Sequence, residues 1–150
     1  MTIDEVLPSV MIPVTLGVAV VATLLMILHL VRVYPSAPKR VPIKVRADGR
    51  PSQRTAGKAV LWLAPAVVAA LLVVISVLAF VLPPHDNERS VIALVFVVVA
   101  EVAFYVTWTT DRQIEMARKM TYRIAPARML RALLPLLLTI AVTVFVAARV

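Results

Sequence analysis

Four long runs of apolar residues, separated by polar segments, dominate the hydrophobic pattern of this chain. Each run has about twenty residues or more, the length that an α-helix needs to cross the hydrocarbon core of a bilayer. No run alternates apolar and polar positions as a half-buried strand would, so helices are predicted. The predicted helices are 10–33, 59–82, 91–110 and 129–148. The sequence therefore predicts an all-α fold, an integral membrane four-helix bundle that forms a single domain over residues 1–150.

The first long polar segment, residues 34–58, contains an extended pattern. Val41, Ile43 and Val45 alternate with proline or basic positions, and an Asp-Gly pair follows at 48–49. Alternation that leads into such a pair is typical of a short strand that enters a turn. A small extended or hairpin-like element is therefore expected at the membrane surface.

The second long polar segment, residues 111–128, combines charge with an apolar stripe. Met116, Met120 and Ile124 recur at four-residue spacing, which would place them on one face of a helix. The third helix is therefore expected to continue along the interface as far as Pro126.

Basic residues are distributed unevenly between the two sides of the predicted bundle. Of the 16 Lys and Arg residues, 14 lie in or beside the two long loops, whereas Arg89 and Arg149 lie on the other side. Because Lys and Arg are enriched in cytoplasmic loops, the basic loops 34–58 and 111–128 are predicted to be cytoplasmic and both termini to lie outside. The cytoplasmic boundary also carries an aromatic belt typical of interfaces: Tyr34, Trp62, Trp108 and Tyr122.

Composition restricts the classes of function. Hydrophobic residues make up 61% of the chain, against about 45–50% in soluble domains. The absence of cysteine excludes disulfides, thiolate metal sites and cysteine nucleophiles. No Gly-rich phosphate loop and no Ser/His/Asp arrangement is present. The sequence therefore predicts neither an enzyme nor a bound cofactor or metal.

Glu101 is the one acidic residue that lies well inside a predicted span. A charged, unpaired residue there costs about 2.5–3.5 kcal/mol on insertion scales, so Glu101 is expected to face the protein interior, to be protonated, or both. Thr23 and Thr139 fall at a similar depth and are candidate hydrogen-bond partners, while Tyr105 lies one turn away on the same face. Three roles stay open: a polar contact between helices, a proton relay or ligand contact, and a contact with another subunit.

His29 lies near the predicted cytoplasmic end of the first helix, one turn from Arg32. An axial haem pair would need a second histidine inside the membrane, and His85 falls in the outer loop. A snorkelling or hydrogen-bonded interfacial histidine is therefore expected.

The cytoplasmic loops are the predicted contact with lipid. A Lys or Arg near an anionic leaflet contributes about 1 kcal/mol of attraction. The formal net charge of +8 flanks apolar runs, so it is assigned to topology and to anionic phospholipids, with no nucleic-acid partner. The candidate lipid contacts are Lys39, Arg40, Arg118, Lys119 and Arg123.

The first loop and the start of the second helix also carry a family resemblance. The matching positions are Pro38, Val41, Pro42, Gly49, Pro51, Gly57, Lys58 and Pro65. In this spacing the segment resembles the domain of unknown function at the N-terminus of SdpI-type immunity proteins. Two family positions differ: Lys44 replaces the usual histidine, and the usual aromatic residue is missing from residues 52–56. The resemblance implies a small membrane protein that acts by binding a partner.

These features predict a multi-pass protein of a bacterial plasma membrane, without catalytic activity, that binds a membrane-protein or peptide partner. The usage of Ala, Val and Arg favours the bacterial assignment. Two alternatives stay open. One is an accessory subunit of a larger membrane complex, favoured by the small soluble mass, and the other is a small proton-coupled transporter that uses Glu101.

The uneven charge distribution predicts the orientation of the chain. A reporter fused after Val150 should be extracytoplasmic, and one inserted near Gln53 should be cytoplasmic, because Lys and Arg are retained on the cytoplasmic side. Paired reporters active on only one side of the membrane, one requiring translocation and one requiring retention, measure this. The opposite pattern at both sites would overturn the predicted orientation.

Overall fold

The computed structural model describes residues 3–43, 51, 54–82, 85, 88–119 and 124–149. These residues form four α-helices: α1 (Ile3–Val33), α2 (Leu63–Val81), α3 (Arg89–Arg118) and α4 (Pro126–Arg149). Each helix is long and apolar enough to cross a bilayer. The fold is therefore all-α, and the chain is a multi-pass membrane protein.

The helix starts are determined by local backbone chemistry as well as by hydropathy. α1 begins at Ile3, ahead of the first apolar run. α2 begins at Leu63, because the preceding residues Lys58–Trp62 form a 3₁₀ helix. Pro65 lies in the first turn of α2, where backbone N–H groups have no partner within the helix, so its missing N–H costs little. α4 begins at Pro126, whose fixed φ suits the first position of a helix.

α3 continues past its apolar run as one helix but stops earlier than the spacing predicts. It ends at Arg118, and the backbone of Lys119 is extended, with φ −132° and ψ 93°. The predicted extension to Pro126 is therefore wrong beyond Arg118. Met116 and Ile124 are both buried, with 0% and 2% of their surface exposed, although Ile124 lies outside the helix. Their spacing reflects burial against the protein and not a shared helix face.

α3 is the central helix, because it packs against α1, α2 and α4. The main core joins α1, α2 and α3, and its buried residues are Ala19, Ala22, Met26, Val68, Leu72, Phe96, Val99, Ala100, Ala103 and Val106. Small residues at such positions let helix backbones approach closely, which favours helix association in lipid. Among the described residues, neither core cluster includes a residue of α4. α4 is therefore attached to the side of a unit formed by the other three helices.

A short antiparallel hairpin follows α1. Its strands are β1 (Arg40–Pro42) and β2 (Thr55–Gly57), and Val41 is paired with Ala56. The extended element expected around Val41 is therefore present. The Asp-Gly pair at 48–49, expected to form the turn, lies outside the described residues.

The hairpin is docked on α3. Val41 is fully buried in a second core cluster that also includes Leu30 and Ile114. The side-chain amide of Gln113 on α3 donates to the carbonyl oxygens of Pro42, at 3.1 Å, and Ile43, at 3.0 Å. These bonds satisfy two backbone carbonyls at the end of β1 and fix the loop on the bundle.

The close packing of α3 against α1 and α2 predicts that added volume there is destabilising. Ala103 is 1% exposed, so Ala103→Leu forces its neighbours apart and should lower the free energy of unfolding by about 1–3 kcal/mol. Unfolding of the purified protein in a denaturing-detergent titration measures this. Ala70→Leu, at an exposed position of α2, is the matched control and should have little effect. Equal stability of the two variants would contradict the packing described here.

Candidate functional site

Glu101 connects α3 to α4. The hydroxyl of Thr139 on α4 donates to Glu101 Oε1 over 2.8 Å. The same hydroxyl lies 3.0 Å from the carbonyl oxygen of Pro135, one turn earlier in α4, so the two acceptors share one donor. The predicted pairing of Glu101 with Thr139 is therefore present as a hydrogen bond between helices.

The second oxygen of this carboxyl group has a different environment. Glu101 Oε2 is shielded from solvent and has no hydrogen-bond partner among the described residues. An unpaired buried oxygen of this kind costs free energy, and the cost is greater if the carboxyl group is charged. If the carboxyl group is neutral with its proton on Oε2, this oxygen can donate a hydrogen bond. In a carboxylate the same oxygen can only accept one.

Glu101 also forms part of the wall of a cavity between the two helices, which we call the α3–α4 crevice. It has a volume of about 420 Å³, and its walls are Glu101, Phe104, Tyr105, Trp108, Ala132, Pro135 and Leu136. The rings of Tyr105 and Trp108 are stacked, with centroids 6.1 Å apart and an angle of 28° between their planes. The crevice therefore combines one carboxyl group with aromatic and aliphatic walls, and Tyr105 lies beside Glu101 as the spacing predicts.

Thr23, the other candidate partner of Glu101, lies elsewhere. Its side chain is buried in α1 and its hydroxyl donates to the carbonyl oxygen of Ala19, at 2.8 Å, in the same helix. Of the two threonines expected near Glu101, the structure thus brings only Thr139 to it.

His29 forms a polar contact between α1 and α3. Its Nε2 lies 2.6 Å from Oδ1 of Asp111, and the two side chains are 35% and 37% exposed. The expected hydrogen-bonded histidine is therefore present, but its partner Asp111 was not among the predicted site residues. The sequence contains the information that pairs them, because both residues lie near the ends of the first and third helices that the charge distribution predicts to be cytoplasmic.

The basic residues predicted to contact lipid fall into two groups. Lys39 and Lys119 are exposed. Arg40 and Arg118 are also exposed, but Arg40 donates to the backbone carbonyl of Thr55 over 2.9 Å, and Arg118 donates to the carbonyl of Ser36 over 3.0 Å. These two arginines therefore also hold the first loop in place.

Arg123, the fifth of these candidates, lies outside the described residues. Within the part of the chain that the structure describes, no group of three or more His, Asp or Glu side chains could hold a metal ion.

The fold and the crevice define the class of protein: a small α-helical, multi-pass membrane protein with a partly buried polar contact between two of its spans. Comparison with known proteins finds no family model, no curated protein and no solved structure that matches the chain. Its function is therefore inferred from its own residues.

The bond between Glu101 and Thr139 predicts how substitutions at both ends affect stability. Glu101→Leu and Thr139→Val each remove it and should lower the free energy of unfolding by about 0.6 kcal/mol, the average for such bonds in membrane proteins. Glu101→Gln keeps the acceptor and the size, so it should unfold like the unmodified protein. Denaturing-detergent titrations of the purified variants measure these changes.

Two comparisons make this test specific. Thr143→Val is the matched control, because the Thr143 hydroxyl donates within α4, to the carbonyl oxygen of Thr139, and to no other helix among the described residues. In the double variant Glu101→Leu with Thr139→Val, the free energy of unfolding should fall by no more than in either single variant, because the same bond is removed in each case. Fully additive losses would show that the two side chains do not interact.

Proposed function

We propose that this chain is a small multi-pass membrane protein without catalytic activity that acts by binding a membrane partner along α4. The observation that supports this is the one-sided packing of α4. None of the most apolar window of α4 is buried inside the protein, against 33% for α3. The half-buried positions of α4 form one stripe towards α3: Met129, Ala132, Leu133, Leu136, Thr139, Thr143 and Val146.

The opposite face of α4 has the side-chain sizes that suit a second transmembrane helix. Leu134, Leu138 and Phe145 are exposed large residues, and the exposed alanines Ala141 and Ala148 lie on the same side at a seven-residue interval. Lipid chains are as apolar as these side chains, so hydrophobicity alone favours no partner. Close packing between helices does favour a partner, and small residues next to a large one allow such packing.

The remaining features of the proposal come from the sequence. The resemblance to the N-terminal domain of SdpI-type immunity proteins supports a binding role, with a membrane protein or a peptide as the partner. The charge distribution supports a bacterial plasma membrane location with cytoplasmic basic loops and extracytoplasmic termini. In this arrangement the basic loops face the anionic phospholipids of the cytoplasmic leaflet.

Two alternatives have specific support. An accessory subunit of a larger membrane complex would use the same α4 face permanently instead of transiently. A small proton-coupled transporter is favoured by Glu101 Oε2, which lacks a described partner and is buried beside a cavity of about 420 Å³. Glu101→Gln discriminates here, because a proton relay needs an ionisable group whereas a polar contact between helices does not.

Native mass measurement of the gently solubilised protein tests the partner proposal. We expect the chain to copurify with a membrane partner. Ala141→Phe with Ala148→Phe should reduce that association about tenfold or more, because overpacking an interface costs about 1–3 kcal/mol. Ala70→Phe, at an exposed position on α2, is the control and should leave the association unchanged.

The outcomes separate the proposals. A large complex of fixed stoichiometry supports the accessory-subunit alternative, and a small complex that the α4 variants dissociate supports transient partner binding. A chain that is monomeric under all gentle conditions, with and without these substitutions, overturns partner binding along α4.

A further inference from the structure

A second cavity lies next to the α3–α4 crevice, towards the predicted cytoplasmic ends of the two helices. Its volume is about 420 Å³, and its walls are Trp108, Arg112, Ile124, Arg128, Arg131 and Ala132. Trp108 and Ala132 are walls of both cavities. The two cavities therefore follow each other along the same seam, with the aromatic, aliphatic one deeper in the predicted span and the basic one at its end.

The charge of this second cavity is strongly positive. Of the six described residues that form its walls, three are arginines and none is acidic. The guanidinium group of Arg112 is partly neutralised, because its Nη1 lies 3.0 Å from Glu115 Oε2. Arg128 and Arg131 are exposed and lie three residues apart on α4, so their side chains project from the same face of that helix.

The position of these arginines on α4 is itself unfavourable. The N-terminus of a helix carries a partial positive charge, so cations in its first turns are destabilising and anions are stabilising. α4 begins at Pro126 and has no acidic residue in its first turn, yet Arg128 and Arg131 lie in its first two turns. An anion bound among the arginines would offset both the repulsion between the guanidinium groups and their interaction with the helix dipole.

We infer that this cavity binds the phosphate headgroup of an anionic phospholipid, with an acyl chain lying against the crevice. Guanidinium groups bind phosphate through paired, charge-assisted hydrogen bonds. Trp108 lies between the basic cavity and the apolar walls formed by Tyr105 and Leu136, at the level where tryptophan is enriched in membrane proteins. The site lies at the start of α4, against Trp108 and Arg112 of α3, whereas the proposed partner contacts lie further along α4, between residues 134 and 148, so the site stands independently of the proposed partner.

Trp108 provides a direct probe of this site. In a Trp62→Phe background it is the single tryptophan of the chain, and brominated acyl chains quench tryptophan fluorescence only at short range. The full chain is reconstituted in phosphatidylcholine vesicles that contain brominated phosphatidylglycerol or, for comparison, brominated phosphatidylcholine. We expect phosphatidylglycerol to quench Trp108 at a lower mole fraction than phosphatidylcholine does.

Substitution of the α4 arginines should remove this preference. Arg128→Gln with Arg131→Gln should lower the preference for phosphatidylglycerol by up to about thirtyfold, which is about fivefold for each lost charge. Arg128→Lys with Arg131→Lys keeps the charges and should retain most of the preference, which separates loss of binding from loss of folding. Arg32→Gln removes an exposed charge of α1 on the same predicted side, outside the walls of this cavity, and should leave the preference unchanged.

Three results would overturn the assignment. The first is equal quenching by the two lipids in the protein with both arginines. The second is a loss of preference in Arg32→Gln as large as in Arg128→Gln with Arg131→Gln, because binding would then be diffuse attraction to the surface. The third is full relief of quenching by millimolar inorganic phosphate, because the cavity would then be a site for free phosphate.

Discussion

The structure depends first on the lack of hydrogen-bond partners in lipid. Every backbone and hydroxyl group within a span must be satisfied by the protein itself. The hydroxyls of Thr23, Ser76 and Thr107 each donate to the carbonyl four residues earlier in their own helix. Such groups need no second helix. Carboxyl and imidazole groups cannot be satisfied in this way as readily, and here they connect helices: Glu101 joins α3 to α4, and the His29–Asp111 pair joins α1 to α3.

The same constraint explains how much of the fold the sequence predicts. Four apolar runs of spanning length leave helices as the available conformation, so the fold class follows directly from hydropathy. Outside the spans water can satisfy the backbone, and hydropathy no longer determines the structure. There the prediction that α3 continues to Pro126 is wrong, since the helix ends at Arg118, and the burial of Ile124 comes from tertiary contacts that spacing does not specify.

The sequence predicts how deep in the membrane Glu101 lies, but it does not predict which neighbouring helix its side chain contacts. Residue numbers along a span give the distance of Glu101 from the membrane surfaces, so Thr23 and Thr139 were equivalent candidates. Which one bonds to it depends on helix rotation and on which helices are neighbours, and both are tertiary properties. The basic cavity was missed for a related reason: Arg128 and Arg131 count towards topology like any other basic residue, and only the packing of α4 against α3 brings them to Arg112.

Packing quality distinguishes the seam of α3 with α1 from its seam with α4. Its seam with α1 has a core of alanines and fully buried residues, beside a cavity of about 290 Å³. Its seam with α4 has no residue of α4 in a core cluster among the described residues, and it holds two cavities of about 420 Å³ each and a carboxyl oxygen without a described partner. In lipid, exclusion of water gives helices no reason to associate, so close packing and polar contacts determine how firmly each is held. Among the described residues, α4 contributes none to either buried core cluster, so it is held mainly by its hydrogen bond to Glu101. A headgroup between its arginines or a helix on its outward face would add contacts where the protein itself provides few, so the weakness of this seam is what makes α4 the part of the chain suited to binding.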